Sequence, residues 1–564
     1  MCSVNIFYKF SVMLVYHRNG GADVAKFITA QEAAKMIPDG ATVGLAGMGL
    51  SGWPEEVACA IRDSFWESGH PCGLNLKQGS AMGDWGYGNQ FDGWERTRKQ
   101  DESDQNVGVR GVSRLGEAGP GLVTRWSGAH VGSAFALQKL AVENKLQSHC
   151  LPQGVIINLW REIAAGRPGL LTKVGLGTFV DPRQGGGKMN ECTTDELVKL
   201  VEFDGEEYLF YPSFKLDVAL LRGTIADEKG NISFAHEGII NEGLAVASAA
   251  HNSGGIVIVQ VEYLTKADTI APKDVKIPGA LVDYVVVATD PMACWQAEGT
   301  YWDPSFSGQI RKPLKSIPPL KLNERKVIAR RCAMEVKDGD IANLGVGMSA
   351  DVGNVMAEEG CIDRVTMFSE SGMVGGVPSA LPNFGSSYNP DATLDQGASF
   401  DVINGGGLDI TILGMGECDE EGNVNVSKFG PRLTGPGGFI DISSATKTVV
   451  FCGTLVGKAM LQTDDGKISV LEEGKIRKFK KHVEQITFAG KYTKPDQTIL
   501  YVTERCVFKL IDGVMTVVEI APGLDLQRDI LDQMDFTPAV AKDLKTMDPA
   551  LFCETWGQLA DHMK

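Results

Sequence analysis

The sequence predicts an α/β protein built of two homologous halves. Each half is an open, largely parallel sheet flanked by helices, and a linker joins them. Three observations predict this. First, residues 216–232 (LDVALLRGTIADEKGNI) and 408–424 (LDITILGMGECDEEGNV) share Leu-Asp, Asp-Glu and Gly-Asn at the same spacing without a gap, and at that same offset the apolar run 256–259 lies over 448–451. Second, residues 37–40 (IPDG) lead into 47–51 (GMGLS) as residues 336–339 (VKDG) lead into 345–349 (GVGMS), each after an Ala-containing helical pattern and a short apolar run. Two correspondences in the same order point to duplication. Third, short β-rich runs alternate with helical patterns, which implies parallel sheets with ligands at the carboxyl ends of the strands.

The elements follow in chain order. Residues 1–26 form an N-terminal extension whose apolar stretch 7–16 (FYKFSVMLVY) has no basic segment before it and no A-x-A site after it, so no secretory signal is expected. An upstream start with Met13 as the native one, or a targeting segment, are the two readings of this stretch. Residues 27–305 form the first half, which is the longer. Part of its excess is residues 88–113, polar and without apolar periodicity, expected as a surface excursion. A flap that carries Arg96, Arg98 or Lys99 toward an anionic ligand is the alternative. Residues 306–325 form the linker, marked by PLKSIPP at 313–319. Residues 326–564 form the second half.

Composition narrows the function. Of 564 residues, 43% are hydrophobic and 22% charged, enough apolar surface to offset the entropy of ordering the chain. No run approaches the ~18 apolar residues of a membrane helix. The net charge of −17 sets the surface against phosphate backbones, so no nucleic acid is expected as a partner. The 12 cysteines form no C-x-x-C pair and no zinc-type cluster with histidine in a short window. No metal site is expected, and reduced thiols fit a cytoplasmic enzyme. No Walker A sequence, dinucleotide fingerprint or G-x-S-x-G elbow occurs.

The segment 365–376 (VTMFSESGMVGG) carries the most chemistry. A β-rich run ends in a Gly-bounded turn, which sets Glu370 at the carboxyl end of a strand, where a carboxylate can enter a crevice. On pattern alone, a solvated turn glutamate is the commoner outcome. Gly345, Val346 and Gly347 follow a strand and open a helix, so their N–H groups can receive an anion or a developing oxyanion. Gly437 and Gly438 stand in another Gly turn, for which a plain loop is equally good.

Taken in order, these motifs resemble the family I CoA transferases, and most closely the single-chain acetate/propionate type that fuses α and β subunits. The resemblance runs from about Phe27 to the C-terminus. It includes residues 47–54 (GMGLSGWP), 151–154 (LPQG), 179–188 (FVDPRQGGGK), 343–347 (NLGVG), 435–441 (GPGGFID) and 519–523 (EIAPG), and departs at 88–113 and in the first 26 residues. It implies the CoA-transferase fold, with Glu370 as a nucleophile that becomes a glutamyl-CoA thioester. It implies that Gln153, Gly345, Val346, Gly347, Gly437 and Gly438 bind CoA and the oxyanion. Coenzyme A is then substrate and covalent intermediate, with no permanent cofactor. The partners implied are acyl-CoA and short carboxylic acids such as acetate or propionate, exchanged in ping-pong fashion by a homodimer or homotetramer. Thioester hydrolysis, and a non-catalytic phosphate or effector sensor on the same broad fold, are the alternatives.

Overall fold

The computed structural model describes residues 25–83, 110–313 and 319–564. The first sheet has eight strands: β1 (Lys26–Phe27), β2 (Thr42–Leu45), β3 (Leu74–Gln78), β4 (Val123–Gly128), β5 (Gln147–Cys150), β6 (Val218–Arg222), β7 (Ile256–Val261) and β8 (Tyr284–Val287). Their order is β1-β8-β7-β6-β2-β3-β4-β5, and every pair is parallel. The second sheet also has eight: β9 (Ile341–Leu344), β10 (Thr366–Met367), β11 (Ile410–Gly414), β12 (Thr448–Cys452), β13 (Thr498–Val502), β14 (Cys506–Ile511), β15 (Val514–Ile520) and β16 (Ala539–Thr546). Their order is β10-β9-β11-β12-β13-β14-β15-β16, parallel from β10 to β13 and antiparallel across β14.

The recurring residues do the same work in both sheets. Val218 faces Ile256 across β6 and β7 as Ile410 faces Thr448 across β11 and β12. Asp217 Oδ2 accepts the N–H of Thr42 at the start of β2, and Asp409 Oδ2 accepts that of Ile341 at the start of β9, both at 3.0 Å. In the following turn, Asp227 accepts from the backbone of Lys229 and Asn231, and Asp419 from that of Glu421 and Asn423. Asn231 and Asn423 in turn accept the N–H of Gly279 and Gly490. Side chains that satisfy backbone donors at strand starts and turns leave few substitutions open, and this is why these pairs persist in the sequence.

Helices cover the sheets. Thr29 caps α1 (Ala30–Met36) in a reciprocal capping box with Glu32. In α3, counted after α2 (Glu55–Ser68), residues Gln153–Ala164 turn a strongly apolar face inward. It packs on α4 (Gly243–Asn252) and, across the halves, on α7 (Gln396–Asn404), which follows α5 (Glu324–Ala333) and α6 (Asp351–Glu358) in the chain. Leu433 and Ile440 of the second half belong to the core of the first, and Ile157 belongs to a core of the second. The two halves thus share packed apolar surface.

Most of residues 88–113 lies outside the described residues. Its tail is not an excursion: Arg110 and Ser113 are 3% and 1% exposed. Arg110 lies over the Trp295 ring and donates to the Glu298 carbonyl, so a charge that read as surface is buried by an aromatic and a backbone oxygen. Another part of the excess length is a three-stranded antiparallel sheet of Gly169–Thr172, Lys199–Phe203 and Glu206–Pro212, which gave no separate signal in the sequence. Residues 314–318 of the linker and 1–24 of the N-terminal extension also lie outside the described residues. Within the linker, Phe306 packs on Tyr388, and the Asn389 side chain brackets the backbone of Lys312. Among the described residues, no helix is long and apolar enough to cross a membrane.

Candidate active site

Glu370 follows β10, an edge strand held to β9 by the Phe368 N–H on the Ala342 carbonyl. The chain then reverses through a tight turn closed by the Gly372 N–H on the Ser369 carbonyl. Gly372 has φ +97°, and a Cβ there would stand 2.1 Å from the Leu394 carbonyl oxygen, so only glycine fits. The turn points the Glu370 side chain inward. It is 7% exposed, against the solvated fate that its pattern alone favours.

The Glu370 carboxylate is held loosely. Asn343 Nδ2 and Ser369 Oγ both lie 3.4 Å from its Oε2. Asn343 itself is fixed by donating to the Phe368 carbonyl and accepting from Thr411 Oγ1. Burial raises the carboxyl's affinity for its proton above that of an ordinary glutamate, and the Asn343 and Ser369 contacts only partly oppose this.

The carboxylate opens into a cleft of about 1630 Å³, part of it open to solvent, between the two halves. Met48, Gly49, Ala81 and Gln153 reach it from the first half; Gly345, Val346, Gly437 and Gly438 from the second. Six of the seven sequence-predicted site residues therefore meet in one space. Gly347 stands in the same turn, at φ +90°, but outside the cleft lining.

The backbone donors divide unevenly. The Gly345 N–H is taken by the Ile412 carbonyl, and the Gly437 N–H by the Ala129 carbonyl. These two amides are engaged by the fold itself, which leaves neither N–H to offer an oxyanion. Among the described residues the N–H groups of Val346, Gly347 and Gly438 meet no backbone acceptor. Gly438 begins α8 (Phe439–Ala445), and a Cβ there would stand 3.5 Å from Glu370 Cγ. Gly437 also accepts the Gln153 N–H at 3.1 Å, so α3 starts directly against this turn. The Gln153 side chain donates to Ser80 Oγ at 2.7 Å.

Sequence reading missed the charges around the cleft. Arg325, Arg432 and Lys478 line it together with Glu298, and Arg325 is paired with Asp351 at 2.7 Å. The three cations come from three separate segments, so no run of basic residues announces them. Asn343 had a signal that went unused: a polar residue inside the parallel strand IANL needs a reason to be there. His130 also lines the cleft; burial and Arg432 lower its pKa to about 4, so it is neutral at physiological pH. Asp441 lies beneath the Gly turn and accepts the Gly154 N–H at 3.0 Å, with its pKa pushed up to about 7 by burial. On the surface, Asp39, His70 and Cys72 bring three possible metal-ligand atoms within 4.8 Å of one another, a grouping that joins residues some thirty positions apart.

Comparison with known proteins agrees with this geometry. Residues 105–288 match the family model described as coenzyme A transferase. The chain is 62% identical to a caffeate CoA-transferase of Acetobacterium woodii over 95% of its own length and 99% of the relative's. It is 40% identical to the acetate CoA-transferase YdiF of Escherichia coli K12, over 93% and 95%. The crystal structure of an acyl-CoA transferase (YdiF) from Escherichia coli O157:H7, a thioester complex with CoA, superposes with a TM-score of 0.83 at 38% identity, covering 95% of this chain and 97% of that one. With whole-chain identity at this level and the same two-sheet fold, the chain belongs to the coenzyme A transferase family and is a CoA-transferase that uses CoA as substrate.

Proposed function

We propose that this enzyme moves CoA between an acyl-CoA and a free carboxylic acid through a covalent thioester on Glu370. The observation that carries the reading is the buried Glu370 carboxylate beside Gly438 at the floor of the inter-half cleft. In water a carboxylate is a poor nucleophile; in a dry crevice fixed dipoles replace its hydration. Glu370 attacks the thioester carbonyl, and the tetrahedral adduct expels CoA thiolate to leave an acyl-glutamyl anhydride. The thiolate attacks the glutamyl carbonyl, forming glutamyl-CoA and releasing the acid. An incoming carboxylate reverses both steps. The N–H groups of Val346 and Gly438, with the second N–H of the Gln153 side-chain amide, are the donors assigned to the oxyanions. One preorganised donor of this kind contributes ~3–4 kcal/mol.

The same reading takes residues 27–305 and 326–564 as the two functional halves, in a cytoplasmic homodimer or homotetramer. Acetate and propionate are the acids that the sequence resemblance implies. The cleft lining of Met48, Phe384, Met415, Phe429 and Phe439, with the 62% identical relative named for caffeate, favours an arylacrylate as a second class. Intact-protein mass after incubation with acetyl-CoA tests the chemistry: a CoA adduct localised to Glu370 is expected, and an unmodified protein that still transfers CoA would overturn it. Acceptor assays with acetate, propionate and caffeate decide between the acids. Release of acid without an acceptor would point to hydrolysis, and no turnover with any of them to a sensor.

A further inference from the structure

The sheet of the first half has a face that does not suit its setting. A parallel sheet buried on both sides is expected to be apolar on both. Here Thr42, Asn75, Arg125 and Gln147 stand side by side across β2 to β5, and two residues further along Lys77, Ser127 and His149 do the same. This polar face lines a cavity of about 920 Å³, part of it open, whose other walls include Leu151, Ile156, Leu159, Leu197 and Phe214. No residue of its lining belongs to the Glu370 cleft.

The cavity holds unmet chemistry of both signs. Lys77 is 8% exposed, and among the described residues its ammonium donates one hydrogen bond, to Ser127 Oγ at 2.9 Å. Its charge lies 5.2 Å over the Phe214 ring. An ammonium has three donors, and a buried charge without a counter-ion is costly. The two carboxylates of the lining are already paired, Asp195 with Arg125 at 3.6 Å and Glu196 with Lys188. His149 donates no charge, since burial lowers its pKa to about 4. Burial also lowers the Lys77 pKa, to about 8, with Asp195 opposing and Arg125 assisting the shift. Asn75 Oδ1 and Gln147 Oε1 are buried acceptors without a hydrogen-bond partner among the described residues.

We infer that this cavity is a second binding site, for a small hydroxylated organic acid, separate from the CoA-transfer cleft. A carboxylate completes the shell of Lys77. A hydroxyl donates to Asn75 or Gln147, and a flat apolar body lies against Phe214 and the leucines. A cation would face the ammonium, and a bare inorganic anion would leave the amide oxygens unmet.

The test is calorimetric titration with 4-hydroxybenzoate of the wild-type protein, Lys77→Met and Glu370→Ala. Wild type and Glu370→Ala should bind alike, and Lys77→Met about tenfold more weakly or worse. No saturable binding to the wild type overturns the inference, as does equal binding by Lys77→Met. Loss confined to Glu370→Ala overturns it too, because the probe would then sit in the cleft. Should Lys77→Met fail to fold, reductive methylation of Lys77 in the wild-type protein, read by peptide mass, decides instead. Saturating 4-hydroxybenzoate should slow that modification several-fold, and an unchanged rate would sink the site.

Discussion

A carboxyl group in a dry crevice is pushed toward its protonated form, while attack on a thioester requires the anion. For Glu370 this conflict has a measurable consequence. Its pKa is raised by burial, so the acid limb of the rate profile should fall at a pH above the ordinary glutamate range of ~4.3. A limb at or below that value would contradict the buried nucleophile. The sign for stability follows. A carboxyl whose folded pKa is raised favours the fold below its unfolded pKa and loses that contribution as pH rises through the folded one. Glu370→Gln should therefore melt higher than wild type at neutral pH, with the gain shrinking as pH falls toward 4. Glu370→Ala should abolish transfer, and Glu370→Asp should cost on the order of a hundredfold in kcat, since one methylene withdraws the carboxylate by about an ångström. Gly438→Ala keeps an ordinary backbone φ of −82° but sets a methyl 3.5 Å from Glu370 Cγ. It should leave the melting temperature near wild type and lower kcat; unchanged kcat would remove Gly438 from the site.

The duplicated turn after β6 and β11 is the clearest case at the scale of the element. Asp227 and Asp419 each satisfy half-buried or buried backbone donors that would otherwise lack a partner in the turn. Asp227→Ala and Asp419→Ala should each lower the stability by ~1–3 kcal/mol, seen as similar shifts of the denaturant midpoint. A large cost in one half and none in the other would mean that the shared residues do not do shared work. These turns were legible because their partners lie two to four residues away. The strand and turn that aim Glu370 were legible for the same reason. Its burial was not, because that is set by Gly438 and Asn343, which lie far from it in sequence. That the amides of Gly345 and Gly437 are engaged was not legible either, because their acceptors, Ile412 and Ala129, are just as distant.

Across the whole molecule, the cleft depends on both halves being in place. The basic residues that line it, Arg325, Arg432 and Lys478, belong to one half, while Glu298, Gln153, Met48 and Gly49 come from the other. A covalent intermediate requires the first acid to leave before the second enters, so double-reciprocal plots at several acceptor concentrations should be parallel. Intersecting lines would indicate direct transfer in a ternary complex. The two α/β halves, their largely parallel strands and the register of the repeat could be read from periodicity and spacing, but the antiparallel turn at β14 could not. The antiparallel sheet within residues 169–212 could not, because its short strands carry no repeat and alternate only weakly.

The bond from the Gln153 N–H to the Gly437 carbonyl, and that from the Gly437 N–H to the Ala129 carbonyl, run from main chain to main chain across the halves. No exchange of one side chain for another deletes such a bond, except a change to proline at the donor. Alignment of the two halves is thus largely sheltered from genetic drift. A lineage can remodel the side chains around the cleft, and with them the choice of acid, while the frame that carries the reacting carboxylate is inherited unchanged.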